Sequence, residues 1–261
     1  MEFLEALSPL TALSTGVLAV AIGVIARLSG LAFFLPGLGD QMIPVQVRLG
    51  AVLALSLVLT PIVLSLTDIR PSTTSVLTVI LIAEAISGLL IGFSIRVAVY
   101  AIQVAGSIAA QGMSLSQLFG GIDDSLEPPI ATLLTVAAIA LAVSLGLHFQ
   151  AVRALAFSFD ALPFGSFPDA SNLGEWATTR VAFVFSTALA LSLPFVVLGF
   201  VYNLAIGAMN RAMPQLMVAF VGAPAVSLAG FALLAASAPV ILDAWRKVLN
   251  SIMAPLVGSA L

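Results

Sequence analysis

The chain has 261 residues, of which 61% are apolar and 8% charged, with a formal charge of −3 and no cysteine. Soluble domains run nearer to about 45–50% apolar and 25% charged, so 9 basic and 12 acidic side chains cannot cover a soluble surface for this length. A soluble enzyme is excluded, as are disulfides, thiolate metal sites and a Cys nucleophile. With no basic run beyond Arg246-Lys247, nucleic acid is not an expected partner.

In chain order the sequence predicts an all-α, polytopic membrane protein of about six hydrophobic helices broken by Pro and Gly. Met1-Glu2-Phe3-Leu4-Glu5 carries acid where a signal peptide carries positive charge, so the first apolar stretch, 10–34, reads as a retained helix. Apolar runs of about 20 residues cross a ~30 Å hydrocarbon core. The next are 45–66, entered through Arg48 and interrupted by Pro61, and 76–110. The third is too long for the bilayer as one helix; it either breaks near Gly88 or Gly106 or stands partly outside lipid. Glu84 and Arg96 lie inside it as buried charges. A charge facing lipid costs at least ~2.5 kcal/mol, so both must face protein or a watery space.

A loop rich in Gly and Ser, 111–129, leads to the fourth span, 130–149. A second loop, 153–178, with Asp160, Asp169 and Glu175, leads to the fifth and sixth, 181–209 and 216–242. Pro194, Pro224 and Pro239 each remove a backbone donor within them. In the tail, 243–261, Trp245, Val248, Leu249, Ile252, Met253 and Leu256 recur at helical spacing, which predicts an interfacial amphipathic helix. The termini and even-numbered loops hold Arg70, Arg153, Arg246 and Lys247, against Arg48 and Arg211 opposite, a bias that places both termini in the cytoplasm.

Known catalytic patterns are missing. The only lysine, Lys247, follows no Gly-rich turn, and His148 stands alone at the end of a span. No cofactor is expected. Gly88-x-x-x-Gly92 and the stripe Gly199, Asn203, Gly207 suit close helix packing, either within the chain or against a partner. The segment 111–119 is too polar for lipid, yet it carries Met113, Leu115, Leu118 and Phe119. It reads either as a surface turn or as a deformable seal.

The most specific string is Asn210-Arg211-Ala-Met-Pro214-Gln215, followed by Phe220, Gly222 and Pro224. Capping explains each residue: Arg211 complements a helix C-terminus and Pro214 suits a first turn. It does not explain their co-occurrence. Together they resemble the FliR family of bacterial flagellar export proteins. Two further stretches agree: Leu35-Pro36 to Pro44 with Arg48 to Pro61, and Gly146-x-His148 followed by Ser158-Phe159-x-x-Leu162-Pro163. The sequence departs from the family pattern in having one His where many members have two. Gly112-Met113 also stands where Met-Gly is common.

The resemblance implies a subunit of a hetero-oligomeric type III export gate, assembled with FliP- and FliQ-like membrane subunits and working with FlhA- and FlhB-like components. Such a gate passes unfolded flagellar proteins outward from the bacterial inner membrane at the basal body. It implies a plug-like loop near 112–119, and an assembly partly above the membrane plane. Two alternatives are an injectisome export subunit and a small-solute secondary transporter. Asn210-Arg211 and Gly222-x-Pro224 favour the flagellar system. A transporter would need Glu84 and Arg96 as a pair, but at 12 positions apart they lie about 120° apart around one helix.

Overall fold

The computed structural model describes residues 2–40, 43–66, 74–112, 128–212 and 218–257. Among the described residues seven helices follow one another, with no strand: α1 Glu2–Phe34, α2 Val45–Leu66, α3 Thr74–Gly112, α4 Pro129–Ser144, α5 Leu147–Ala161, α6 Ala170–Ala212 and α7 Val218–Leu256. Five of them are long and apolar enough to cross a membrane, and α4 with α5 brings the total to six if counted as one broken span. The expected class, a polytopic all-α membrane protein, is the one found.

Several boundaries differ from the sequence reading, each for a local reason. The third segment does not break: α3 is continuous over 39 residues, about 58 Å at 1.5 Å per residue. Gly106 lies against Ala131 of α4, where a Cβ would come within 2.4 Å of the Ala131 Cα, so this glycine allows an approach and not a kink. The fourth span does break, because Gly146 sits in the left-handed region at φ 78°. There the ladder of α4 ends at Leu145, whose amide bonds Leu141 O, and α5 begins anew from the Gly146 carbonyl. Much of the second predicted loop is helical, with only 162–169 left as a turn. Consequently α6 starts eleven residues before the expected 181 and runs for 43 residues through Pro194.

The tail is not a separate interfacial helix. It continues α7 without interruption to Leu256. Its apolar face was correctly placed by the periodicity, but Trp245, Leu249, Ile252 and Met253 are buried in protein.

Close contacts divide the chain into two compact units: residues 1–96, 146–176 and 252–261, and residues 97–145 and 177–251. In the first, α1 packs on the N-terminal half of α3, with Val20, Val24, Leu28, Leu31, Ala83 and Ile91 buried. In the second, the buried residues include Ala98, Ile102 and Ala105 of α3, Ala131 and Leu134 of α4, and Trp245 of α7. Large apolar side chains of α2 and α6, including Leu57, Phe185, Phe200 and Leu204, are exposed, as expected of faces meant for lipid or other subunits.

Candidate functional site

The first unit is built around a close crossing of two helices. Gly88 lies so near the Arg27 backbone that an added Cβ would overlap the Arg27 carbonyl. A Cβ at Gly92 would meet Leu31 O at 2.7 Å, and one at Gly30 would meet Ala85 O at 2.6 Å. The Gly88-x-x-x-Gly92 pair therefore packs α3 on α1 within this chain.

That close approach brings Arg27 and Glu84 together, both fully buried. Arg27 Nε donates to Glu84 Oε2 at 2.6 Å and Nη2 to Oε1 at 3.0 Å, a two-pronged ion pair. The fork does not stop there. Nη1 donates to Ser158 Oγ at 3.0 Å and Nη2 also reaches Leu162 O at 3.0 Å. The guanidinium carbon lies 3.9 Å from the centre of the Phe159 ring. Glu84 Oε1 in turn accepts the Gly165 amide at 2.8 Å. Each charge alone would be costly when fully buried; paired and bonded to neighbouring polar groups, they offset one another's desolvation.

Arg96 takes a different partner. Its Nη1 donates to Asp40 Oδ1 at 2.6 Å, and both side chains are partly exposed. Asp40 lies in the turn between α1 and α2, where it also accepts the Gly37 amide at 3.0 Å. Arg48 binds the same turn through Leu38 O at 2.7 Å and Asp40 O at 3.1 Å. Burial pushes the Asp40 carboxyl up, but the hydrogen bonds from Arg96 and Gly37 and the nearby charges of Arg96 and Arg48 outweigh it and hold the group below its ordinary value. Glu84 and Arg96, both buried charges by the sequence reading, thus belong to separate ion pairs. Only Glu84 is fully enclosed, and the two do not form the couple that a transporter reading required.

The candidate assembly residues lie toward the end of α6. Gly199 is buried, while Asn203, Gly207, Asn210 and Arg211 are exposed. Asn203 Nδ2 donates back to Gly199 O at 2.9 Å, so its amide is satisfied within the helix. A Cβ at Gly207 would have no neighbour within 4 Å. This stripe therefore presents its second half outward, beside exposed Phe200 and Leu204. Gly222 packs inside the unit: a Cβ there would meet the Tyr202 hydroxyl at 2.7 Å and Ile206 Cδ1 at 2.8 Å. Pro214 and Gln215, and the proposed seal residues Met113, Leu115, Leu118 and Phe119, lie outside the described residues.

Among the described residues no three His, Asp or Glu side chains cluster to hold a metal ion. His148 is exposed at the start of α5, its ring 4.1 Å from that of Phe149. Sequence reasoning passed over Arg27, Ser158 and Trp245 as partners of these structures. Arg27 left one usable signal, a basic residue in an otherwise uncharged run opposite an acid in another.

Residues 18–252 match the family described as bacterial export proteins, family 1. The chain is 32% identical over 237 residues to the flagellar biosynthetic protein FliR of Caulobacter vibrioides, covering 88% of this chain and 94% of that protein. It is 29% identical to the protein of that name from Escherichia coli over 79% of each chain. To the one from Bacillus subtilis it is 26% identical, over 87% of this chain and 89% of that protein.

Proposed function

Because the chain belongs to the bacterial export proteins of family 1, we propose that it is a membrane subunit of the flagellar protein-export apparatus. The observation that carries this reading is the near end-to-end alignment with the Caulobacter protein, 94% of whose length it covers. The family match over residues 18–252 reaches from α1 into the last turns of α7. The physical features agree in kind. Three helices of 39 to 43 residues exceed a ~30 Å bilayer core by about twofold, which suits a subunit that extends beyond lipid within a larger assembly.

On this reading the protein is not an enzyme. It forms part of a gate through which unfolded flagellar proteins leave the cell, with energy supplied by other components. Its partners are FliP- and FliQ-like subunits, in contact with FlhA- and FlhB-like components. Its place is the bacterial inner membrane at the base of the flagellum. The exposed apolar faces of α2 and α6 serve for lipid and for these subunits.

Deletion and complementation in a flagellated host test this. Loss of the chain should abolish motility and remove flagellar proteins from the medium, and the tagged chain should co-purify with other membrane subunits. Normal motility without it, together with solute uptake by a purified monomer in liposomes, would return the transporter reading.

A further inference from the structure

We propose that Arg27 and Glu84 are positioning residues whose task is to fix the turn between α5 and α6, beyond holding α1 against α3. The two charges could satisfy one another with two hydrogen bonds. Instead three more contacts run from the pair to a third stretch of chain: Arg27 to Ser158 and Leu162, and Glu84 to Gly165. Those contacts supply what the turn lacks. Leu162 O lies just past the last residue of α5, where carbonyls have no partner within their own helix. The Gly165 amide belongs to a left-handed residue at φ 78°, flanked by Pro163 and Pro168, which donate nothing. Within the turn the backbone bonds are Leu162 N to Ser158 O and Ser166 N to Pro163 O. The two charged heads provide further anchors for this partly buried backbone.

Side-chain packing supports the same assignment. Phe164 is buried, touching the Gly23 backbone so closely that a Cβ there would overlap its ring. Phe159 stacks beside Phe164, with centroids 6.5 Å apart, while its face meets the Arg27 guanidinium. Directly after the turn Asp169 caps the start of α6, accepting the Ser171 amide at 3.0 Å. Holding Leu162 and Gly165 in place therefore fixes where α6 begins. An apolar pair at 27 and 84 could pack α1 on α3 equally well, but it would remove the protein partners that tie these two backbone groups to α1 and α3.

The test is hydrogen exchange followed by mass spectrometry on the full chain in its purified membrane complex. Arg27→Lys keeps the positive charge opposite Glu84 but removes the fork. It should speed exchange of amides 162–166 by about tenfold or more, with α1 and α3 amides within about twofold of the parent. Unchanged protection at 162–166 would overturn the proposal, as would a rise spread evenly over α1 and α3. If Arg27→Lys does not accumulate, the double variant Arg27→Met/Glu84→Leu, which leaves no lone charge, should give the same local signature. Failure of both to accumulate would mean that the pair holds the whole helix crossing, and the positioning role would fall.

Discussion

Trp245 donates its indole N–H to Ala98 O at 2.7 Å, with both residues fully buried. The bond ties the C-terminal third of α7 to the middle of α3 and explains why the tail leaves the lipid surface. An indole buried without a partner would cost about 1–3 kcal/mol, so Trp at this position needs a carbonyl within reach. Trp245→Phe is expected to lose about 1–2 kcal/mol through the missing bond, and Trp245→Ala about 3–5 kcal/mol through the cavity. Thermal unfolding in detergent checks both. Unchanged stability in both variants would support a lipid-facing tail.

Gly88 and Gly207 are predicted to respond oppositely to an added methyl group. At Gly88 the Cβ has no room beside the Arg27 carbonyl, so Gly88→Ala should push α1 and α3 apart and cost about 1–3 kcal/mol or more. At Gly207 nothing lies within 4 Å of the Cβ, so Gly207→Ala should leave the isolated chain unchanged, or raise its stability by up to about 1 kcal/mol through helix propensity. If a partner helix occupies that face, Gly207→Leu should still lower the yield of the assembled complex. Equal yields for Gly207→Leu and the parent would leave the face to lipid.

The class and the rough number of apolar spans were legible because bilayer burial demands long uncharged runs. Helix ends were less legible. Gly88 and Gly106 read as possible breaks in an overlong segment, since a glycine lowers helix propensity wherever it stands; Gly88 also read as a packing position, but only the neighbouring helix shows that both are points of contact. Gly146 read as part of a span, because left-handed geometry leaves no mark in composition. Of the charges, Glu84 was recognised as needing protein around it, but its partner is 57 positions away on another helix. Periodicity within one segment cannot reach that far. In the tail the apolar face was legible, but its destination was not, since lipid and protein select the same residues.

Asp40 gives the fold a pH dependence whose sign follows from its partners. Its folded-state pKa lies below the ordinary value because the hydrogen bonds from Arg96 and Gly37 and the charges of Arg96 and Arg48 outweigh burial. Such a group stabilises the fold at pH values above about 3.9, its unfolded pKa, and that contribution is lost as pH falls through the depressed folded value. The melting temperature of the parent should thus drop more steeply than that of Asp40→Asn below about pH 4. At pH 7 the variant should be the less stable of the two. Parallel pH profiles would show that the Arg96 contact contributes nothing.

Residues 112–119 are expected to seal the export channel at rest, a proposal made from sequence and family resemblance alone. Met113, Leu115, Leu118 and Phe119 can exclude water yet yield to a passing chain. Deleting 112–119, with complex size and level unchanged, should make cells that co-express the partner subunits leaky to ions. Unaltered conductance and growth would make the segment a connector.

Arg211 separates helix capping from assembly. It stands exposed in the last turn of α6, where a positive charge is worth about 0.3–1 kcal/mol against the helix dipole. If that is its whole role, Arg211→Ala should lower stability by less than about 1 kcal/mol and leave export near normal. A reversed charge is the sharper probe. Arg211→Glu sets a negative side chain against the negative end of the helix, a change of the same small order on an exposed surface, so the folded chain should persist at normal level. An interface built for a cation would instead meet a like charge, which is far more costly when water is excluded. The expected result is loss of co-purifying subunits and of motility with the membrane level of the chain unchanged. Full motility in Arg211→Glu would return Asn210-Arg211 to capping alone.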